Sequence, residues 1–322
     1  MSETDFDKGT LVIMVTYNSS RDLTDNLDCL RLIAGEPEFD LLMVDNGSAD
    51  ETVSICATID GAVVESSAVN IGFAAGVNRG LRHIEGHQYF VLLNPDVRIT
   101  VEGLKDLVSI MDANPGAAVC IPAQVSESAE PTGCWAQGTG LAAMLVADST
   151  LGLYKRIGFL RRRYGWLDVR DLRPGVEPGY VSGACFLGRA AALDEVGRFD
   201  KRFFLYYEEA DWCRRARAAG WALLVAEGVR ATHRLYASSS SEGRARAMYY
   251  VSRYKFVRKH YGAAGACLIR AADFASGVLM WLAASVANKI VRSASLDRAR
   301  IEGSVRFRSA IAGDSAVEGT RP

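Results

Sequence analysis

No two cysteines of this chain stand at C-x-x-C spacing, and their number, seven, is odd. That argues against a zinc cluster or a disulfide framework and predicts reduced thiols in a cytosolic protein. A basic-then-apolar leader is missing from Met1 to Thr10, which is acidic and polar, so no signal sequence is expected. An excess of charge of either sign is missing too. With a net charge of −1, nothing global marks a nucleic-acid partner, and any basic surface must be local. The longest uncharged stretch near the end, Phe274 to Asn288, falls short of the about 20 apolar residues a membrane-crossing helix needs, so no span is expected. What is present is ordinary for a folded protein. Of 322 residues 49% are hydrophobic and 23% charged, enough for one large α/β domain or two small ones.

Leu11 to Val15, Phe39 to Val44, the weaker Val63-Val64, Tyr89 to Leu93 and Ala117 to Ile121 read as strands. Between them lie helix signals: Asn18-Ser19-Ser20, Ala49-Asp50-Glu51, a helix over 73–83, and Thr100 as a cap. Strands alternating with helices at this spacing predict parallel βαβ units. Ligands of such sheets sit beyond the carboxyl ends of the strands. Tyr17-Asn18, Asp45-Asn46 and Asn94 to Asp96 all fall at such ends, and three polar clusters in register favour a site over three unrelated turns. From Pro122 to Gly179 the pattern loosens, with Arg161-Arg162-Arg163 beside Tyr164 and Trp166. A functional lid and a small helical insertion with a solvated basic face both fit. Then come a strand over 180–187, a short helix over 190–196, a helix from Glu208 to Ala219 stopped by Gly220, and a last strand over 221–225 leading to His233.

Two stretches carry the chemistry. Leu93-Asn94-Pro95-Asp96 ends an apolar run in a carboxylate, where a divalent cation and a diphosphate can be held; a plain turn ahead of the Thr100 helix fits as well. In Phe203 to Trp212, three carboxylates, Glu208, Glu209 and Asp211, follow an aromatic strip. Acids in a first turn complement a helix dipole, but that leaves the aromatic approach unexplained. A carboxylate delivered beside sugar-stacking rings suits a general base for an acceptor hydroxyl. Positions 208 and 211 share a helical face while 209 is rotated by about 100°, so they are expected to divide roles. His233, taken alone, reads as structural.

Together these segments resemble glycosyltransferase family 2, the inverting transferases of GT-A fold, in particular its bacterial rhamnosyltransferase-like branch. The resemblance runs from about Leu11 to Tyr261 and includes Val15-Thr16-Tyr17-Asn18, Val44 to Ser48, Asn70 to Asn78, and Leu92 to Asp96. It continues through Ser182-Gly183-Ala184-Cys185, Gly197 to Asp200, Glu208 to Trp212, and His233-Arg234-Leu235. It implies an α/β GT-A domain, with a mostly parallel central sheet, helices on both faces and a C-terminal helical extension. A nucleotide-binding half over 1–121, an insertion over 122–179 and an acceptor half over 180–261 are expected, then a helical extension over 262–301 and a frayed tail over 302–322. By the same resemblance Thr16, Tyr17, Asn18, Asp45, Asn46, Gly72, Phe73, Asn78, Asn94 and Asp96 meet the donor. Asp96 and His233 hold Mg²⁺ or Mn²⁺, although Asn94 stands where relatives carry the first acid of an Asp-x-Asp motif. Glu209 is the implied base, where many relatives carry Asp. Glu208, Asp211, Trp212, Gly183 and Ala184 contact the acceptor or support the base. The implied donor is dTDP-L-rhamnose, with a UDP-hexose as alternative.

Past Tyr261 the resemblance fades. Ala263 to Asn288 is apolar, contains Met280 and Trp281, and is flanked by Lys255, Arg258, Lys259, Lys289 and Arg292, with Arg156 and Arg161 to Arg163 as further basic residues. This suits a helix lying in a membrane interface on the inner face of the cell membrane, near a polyprenyl-linked or other glycan acceptor; packing on the domain or on the second subunit of a homodimer also fits. A nucleotidyltransferase would want a Gly- and Lys-bearing loop after the first strand, which Thr16 to Ser20 does not supply. Asp96, Glu209 and His233 together argue against a non-catalytic relative.

Overall fold

The computed structural model describes residues 9–148, 157–234, 242–290 and 294–312. Leu235, Arg156 and Arg292 therefore lie outside the described residues. The chain divides into two compact units. The first comprises Met1–Gln137, Trp166–Lys201 and Glu208–Tyr236, and the second Gly138–Gly165, Arg202–Tyr207 and Ala237–Pro322.

The chain begins with β1 (Thr10–Thr16), α1 (Ser20–Gly35), β2 (Phe39–Asp45), α2 (Thr52–Cys56), β3 (Val63–Ser66) and α3 (Phe73–Gly80). There follow β4 (Tyr89–Leu93), β5 (Val97–Arg98), α4 (Val101–Ala113), β6 (Ala117–Val125) and β7 (Trp135–Ala136). After α5 (Leu141–Asp148) and α6 (Gly158–Tyr164) of the second unit, the first resumes with β8 (Tyr180–Val181), β9 (Cys185–Arg189), α7 (Ala190–Val196), α8 (Glu208–Ala218) and β10 (Ala222–His233).

Eight strands form one sheet in the order β3-β2-β1-β4-β9-β6-β10-β5. Four of its pairings are parallel; β9 runs antiparallel between β4 and β6, and β5 antiparallel beside β10. All seven β1 residues are buried because both faces are covered. Val12 and Met14 pack with Leu23, Leu30, Leu104 and Leu107 on one side. Leu11, Ile13 and Val15 pack with Ala74, Val77 and Trp212 on the other. A doubly covered strand has no solvent face to alternate toward, hence the unbroken apolar runs.

Several expectations are corrected. The strand expected over 180–187 is two: β8 pairs with β7 in a separate ribbon, and β9 enters the main sheet. Ser182-Gly183-Ala184 breaks it and turns the chain between sheets. The strand ending at Ile121 continues through Pro122 to Val125, because the proline sits where the β6–β10 register shifts and no regular ladder bond is required of it. The last strand likewise runs on to His233. Residues 302–312 are helical rather than frayed, as part of α10 (Ala294–Ala312), with Arg306 and Ser309 buried. Within the second unit α9 (Glu242–Ile290) breaks at Gly262, φ 73° and ψ −175°. The expected boundary at 261 is not where the units part. Arg253, before the break, donates to Asp273, after it, at 2.5 Å, and both are buried, so the two halves of α9 belong together.

Candidate active site

The carboxyl ends of β1 and β2 are tied by one acid. Asp45, buried, accepts from Thr16 Oγ1 at 3.2 Å, Ser48 Oγ at 2.5 Å, Gly47 N–H at 3.0 Å and Ser48 N–H at 3.1 Å. Four donors match what an ionised carboxylate can accept, so Asp45 shapes the loop rather than offering an open acceptor. Asn18, at φ 49°, accepts from Ala49 N–H at 2.8 Å and donates its own N–H to Ser48 Oγ, holding this rim beside exposed Tyr17. Asn46 donates to the Gly72 carbonyl at 3.1 Å, which brings the start of α3 and Phe73 alongside. Gly76 lets α3 lie close, since a Cβ there would stand 2.8 Å from Val15. Asn78 takes a scaffolding place. Its amide donates to Phe199 O and accepts from Phe199 N–H, pinning the loop ahead of α8.

Asp96 follows β4 by three residues. Its Oδ2 lies 3.2 Å from His233 Nε2 at the end of β10, and its carbonyl accepts from Arg234 N–H. The other ring nitrogen, Nδ1, is 3.3 Å from Gln124 Oε1 at the end of β6. An amide oxygen only accepts, so Gln124 Oε1 matches a ring N–H at Nδ1; in that tautomer the Nε2 lone pair faces the Asp96 carboxylate, an arrangement that a bound divalent cation can bridge. Asn94 Oδ1, buried and without a hydrogen-bond partner, is a further oxygen nearby in the chain. Among the described residues no three His, Cys, Asp or Glu side chains gather as a metal cage. Mg²⁺ and Mn²⁺ sites of the phosphate-binding kind need no cage, because one or two protein groups plus diphosphate oxygens complete them. The residues present fit such an ion.

Glu208 and Glu209 open α8. Burial, then the charge of Glu209, pushes the Glu208 carboxyl well above its ordinary value; burial lifts Glu209 to about 7. Both Oε2 atoms lack a partner. Gly183 lies against the Glu209 side chain: a Cβ there would stand 3.5 Å from Glu209 Cβ, in ordinary van der Waals contact. Ala184 accepts from Asn94 N–H at 2.9 Å. One loop, 182–184, thus joins the glutamate to the Asn94–Asp96 turn. Asp211 and Trp212 are wholly buried. Asp211 pairs with Arg215 at 2.9 Å, and Trp212 donates to Gly197 O at 2.8 Å and stacks on Phe199. The aromatic strip was expected to line the cleft. Phe203 is buried instead, and Tyr207 packs on Tyr249 and Phe256 within the second unit. Tyr206 and Tyr207 have φ of 68° and 70°, a left-handed pair that costs about 1–3 kcal/mol per residue immediately before the glutamates.

Sequence reasoning missed Gln124 and Asp22. Gln124 was hidden by Pro122, which looks like the end of a strand. Asp22, on the first turn of α1, is raised by burial and by the charge of Asp96, and no spacing pattern could have paired them. Orphaned buried polar atoms were the better signal: Asn46, Asn94, Gln124, Glu208 and Glu209 all have one.

Residues 11–197 match the family model described as Glycosyl transferase family 2. The chain is 27% identical over 217 residues to "Low-salt glycan biosynthesis hexosyltransferase Agl10" of Haloferax volcanii, 64% of this chain and 61% of that protein. It is 25% identical over 259 residues to "N-acetylglucosaminyl-diphospho-decaprenol L-rhamnosyltransferase" of Mycobacterium tuberculosis, 76% of this chain and 81% of that one. Among solved structures it resembles the mannosyltransferase PcManGT from Pyrobaculum calidifontis in complex with GDP-Man and Mn²⁺. The TM-score is 0.56 at 14% identity, covering 96% of this chain and 87% of that one. That likeness fixes the fold as GT-A.

Proposed function

The chain belongs to glycosyl transferase family 2 and is a glycosyltransferase; from that premise we propose that it moves L-rhamnose from dTDP-L-rhamnose, with inversion, onto a hydroxyl of a polyprenyl-diphosphate-linked glycan in cell-envelope polysaccharide synthesis. The observation that carries the mechanism is Glu209: a half-buried residue whose Oε2 atom is buried without a hydrogen-bond partner, lying against Gly183 and linked through Ala184 to the Asn94–Asp96 turn.

Glu209 takes the proton from the acceptor hydroxyl as that oxygen attacks the anomeric carbon. A base near 7 is half ionised at neutral pH, yet strong enough to bind the proton as it is released. Glu208 holds its own proton more tightly than usual, so the pair is less negative than two ordinary carboxylates would be. A divalent cation, when bound, neutralises the nucleoside diphosphate as it leaves. Asp96 and His233 would hold it, with Gln124 fixing the imidazole tautomer. The Asp45 loop and the Gly72–Phe73 turn would receive the nucleoside. Placement on the cytoplasmic face of the cell membrane follows from where such an acceptor resides.

The rhamnosyl donor rests on the mycobacterial relative's name; the haloarchaeal relative's name favours a hexosyl donor instead. Hydrolysis of dTDP-rhamnose, UDP-hexoses and GDP-mannose with Mg²⁺ or Mn²⁺ separates them without an acceptor. The dTDP sugar should be consumed fastest. Preference for a UDP-hexose would leave the glycosyltransferase standing and remove the rhamnosyl assignment.

A further inference from the structure

The end of the second unit is built inside out. Leu268, Ala271, Ala275, Leu279, Leu282 and Val286 recur at steps of three and four along the second half of α9, and all six are exposed. No charged residue from 263 to 288 is exposed. The charge is inside. Asp273, buried, accepts from Arg253 at 2.5 Å and from Arg306 of α10 at 2.8 and 3.0 Å, and Ser276 and Ser309 are buried near it in sequence. A helix pair bathed in water would show the reverse pattern. The strip, 19 residues from Leu268 to Val286, extends about 28 Å at 1.5 Å per residue, too long to be a scattered surface leucine or two.

Length and composition alone would let the segment Arg244–Asn288 cross a bilayer, its best window having a mean hydropathy of 1.5. Its partner helix argues otherwise. Gly277 and Gly303 bring the two backbones into contact: a Cβ on Gly303 would stand 2.7 Å from Gly277 O. Wherever the middle of α9's second half goes, α10 goes too. Exposed Arg298, Arg300 and Arg308 make α10 a poor guest of hydrocarbon, while Asp297 is its only exposed acid. Exposed Arg258 and Lys259 stand ahead of the strip. Long basic side chains reach toward headgroups while the apolar strip enters the acyl boundary.

We propose that residues 263–312 lie in the plane of an anionic lipid surface, with the strip from Leu268 to Val286 in the acyl boundary and the α10 arginines in the field of the headgroups. This deepens the membrane part of the proposed function and rests on it only for the reason a membrane matters, the lipid-linked acceptor.

The test is flotation of the full chain with vesicles of phosphatidylcholine alone and of phosphatidylcholine mixed with phosphatidylglycerol, at low and high salt, followed by alkaline carbonate extraction. The expected result is binding to the mixed vesicles, weakening with salt and released by carbonate. Arg298→Glu and Arg308→Glu should each lower partitioning about fivefold or more. Leu279→Glu with Leu282→Glu should abolish it while leaving acceptor-independent donor hydrolysis unchanged, which also reports that the chain still folds. Carbonate-resistant binding, equal for both vesicle types, would overturn the proposal in favour of a span. Absence of vesicle binding, with a dimer in light scattering that Leu279→Glu dissolves, would overturn it in favour of a second copy. Vesicle binding without donor turnover would leave this inference standing and sink the transfer chemistry instead.

Discussion

His233 Nε2 lies 3.2 Å from Asp96 Oδ2, while the same ring's Nδ1 faces Gln124 Oε1. Three strand ends, far apart in the chain, meet on one imidazole. The amide that faces Nδ1 belongs to neither of the two residues proposed to hold the metal.

That relationship makes Gln124 a positioning residue. Gln124→Ala frees the ring to rotate and to protonate at either nitrogen, so Mn²⁺ affinity in the presence of nucleoside diphosphate should fall about 10- to 100-fold. Titration calorimetry reads this directly, and Gln124→Glu, which restores an acceptor, should recover most of it. Unchanged affinity in the alanine variant would remove Gln124 from the site.

Glu209→Gln should bind donor normally and transfer about 10²- to 10⁴-fold more slowly. In the wild type, protonation below about 7 silences the base, so the transfer rate should rise with pH through that value and level off above it. The glutamine variant should lose this dependence along with the rate. A flat wild-type profile between pH 5 and 9 would mean that some other group takes the proton.

Glu208 predicts a stability effect of definite sign. Its folded-state pKa lies above the unfolded one, so between the two the folded chain binds more protons than the unfolded chain. Stability is therefore highest at low pH with respect to this group and falls as pH rises from the ordinary carboxylate range through the raised value. Glu208→Gln keeps the shape without the charge. Its Tm should exceed that of the wild type at pH 9 and approach it near pH 5, as followed by circular dichroism.

Asp273 lies buried between Arg253 and Arg306. Asp273→Asn removes the anion that the two buried guanidinium groups share and should destabilise the second unit by about 3–5 kcal/mol. Denaturant unfolding followed at Trp281 measures it. A loss below about 1 kcal/mol would mean that water already reaches the arginines.

The sheet was legible because burial on both faces writes itself as contiguous apolar runs: Leu11 to Val15, Phe39 to Val44 and Tyr89 to Leu93 are strands as read. The cap of α4 was legible for a similar local reason, Thr100 accepting from Gly103 N–H at 3.0 Å, whereas Ser19 opens α1 without a side-chain cap bond. What failed were readings in which a local rule was overridden from a distance. Pro122 should end a strand, but a register shift against β10 lets it stay. Phe203 should line a sugar cleft, but it is packed away in the interior.

Residue order alone therefore determined the alternation of strands and helices, the strand ends at which polar groups collect, and the acids that open α8. These follow from hydrogen bonds and burial patterns repeated every two or four residues. The partnership of Gln124, His233 and Asp96, the packing of Glu209 against Gly183, and the outward turn of the apolar face from Leu268 to Val286 were decided by tertiary structure. Each depends on which surfaces meet across the sheet or between helices, a question that no short-range periodicity encodes.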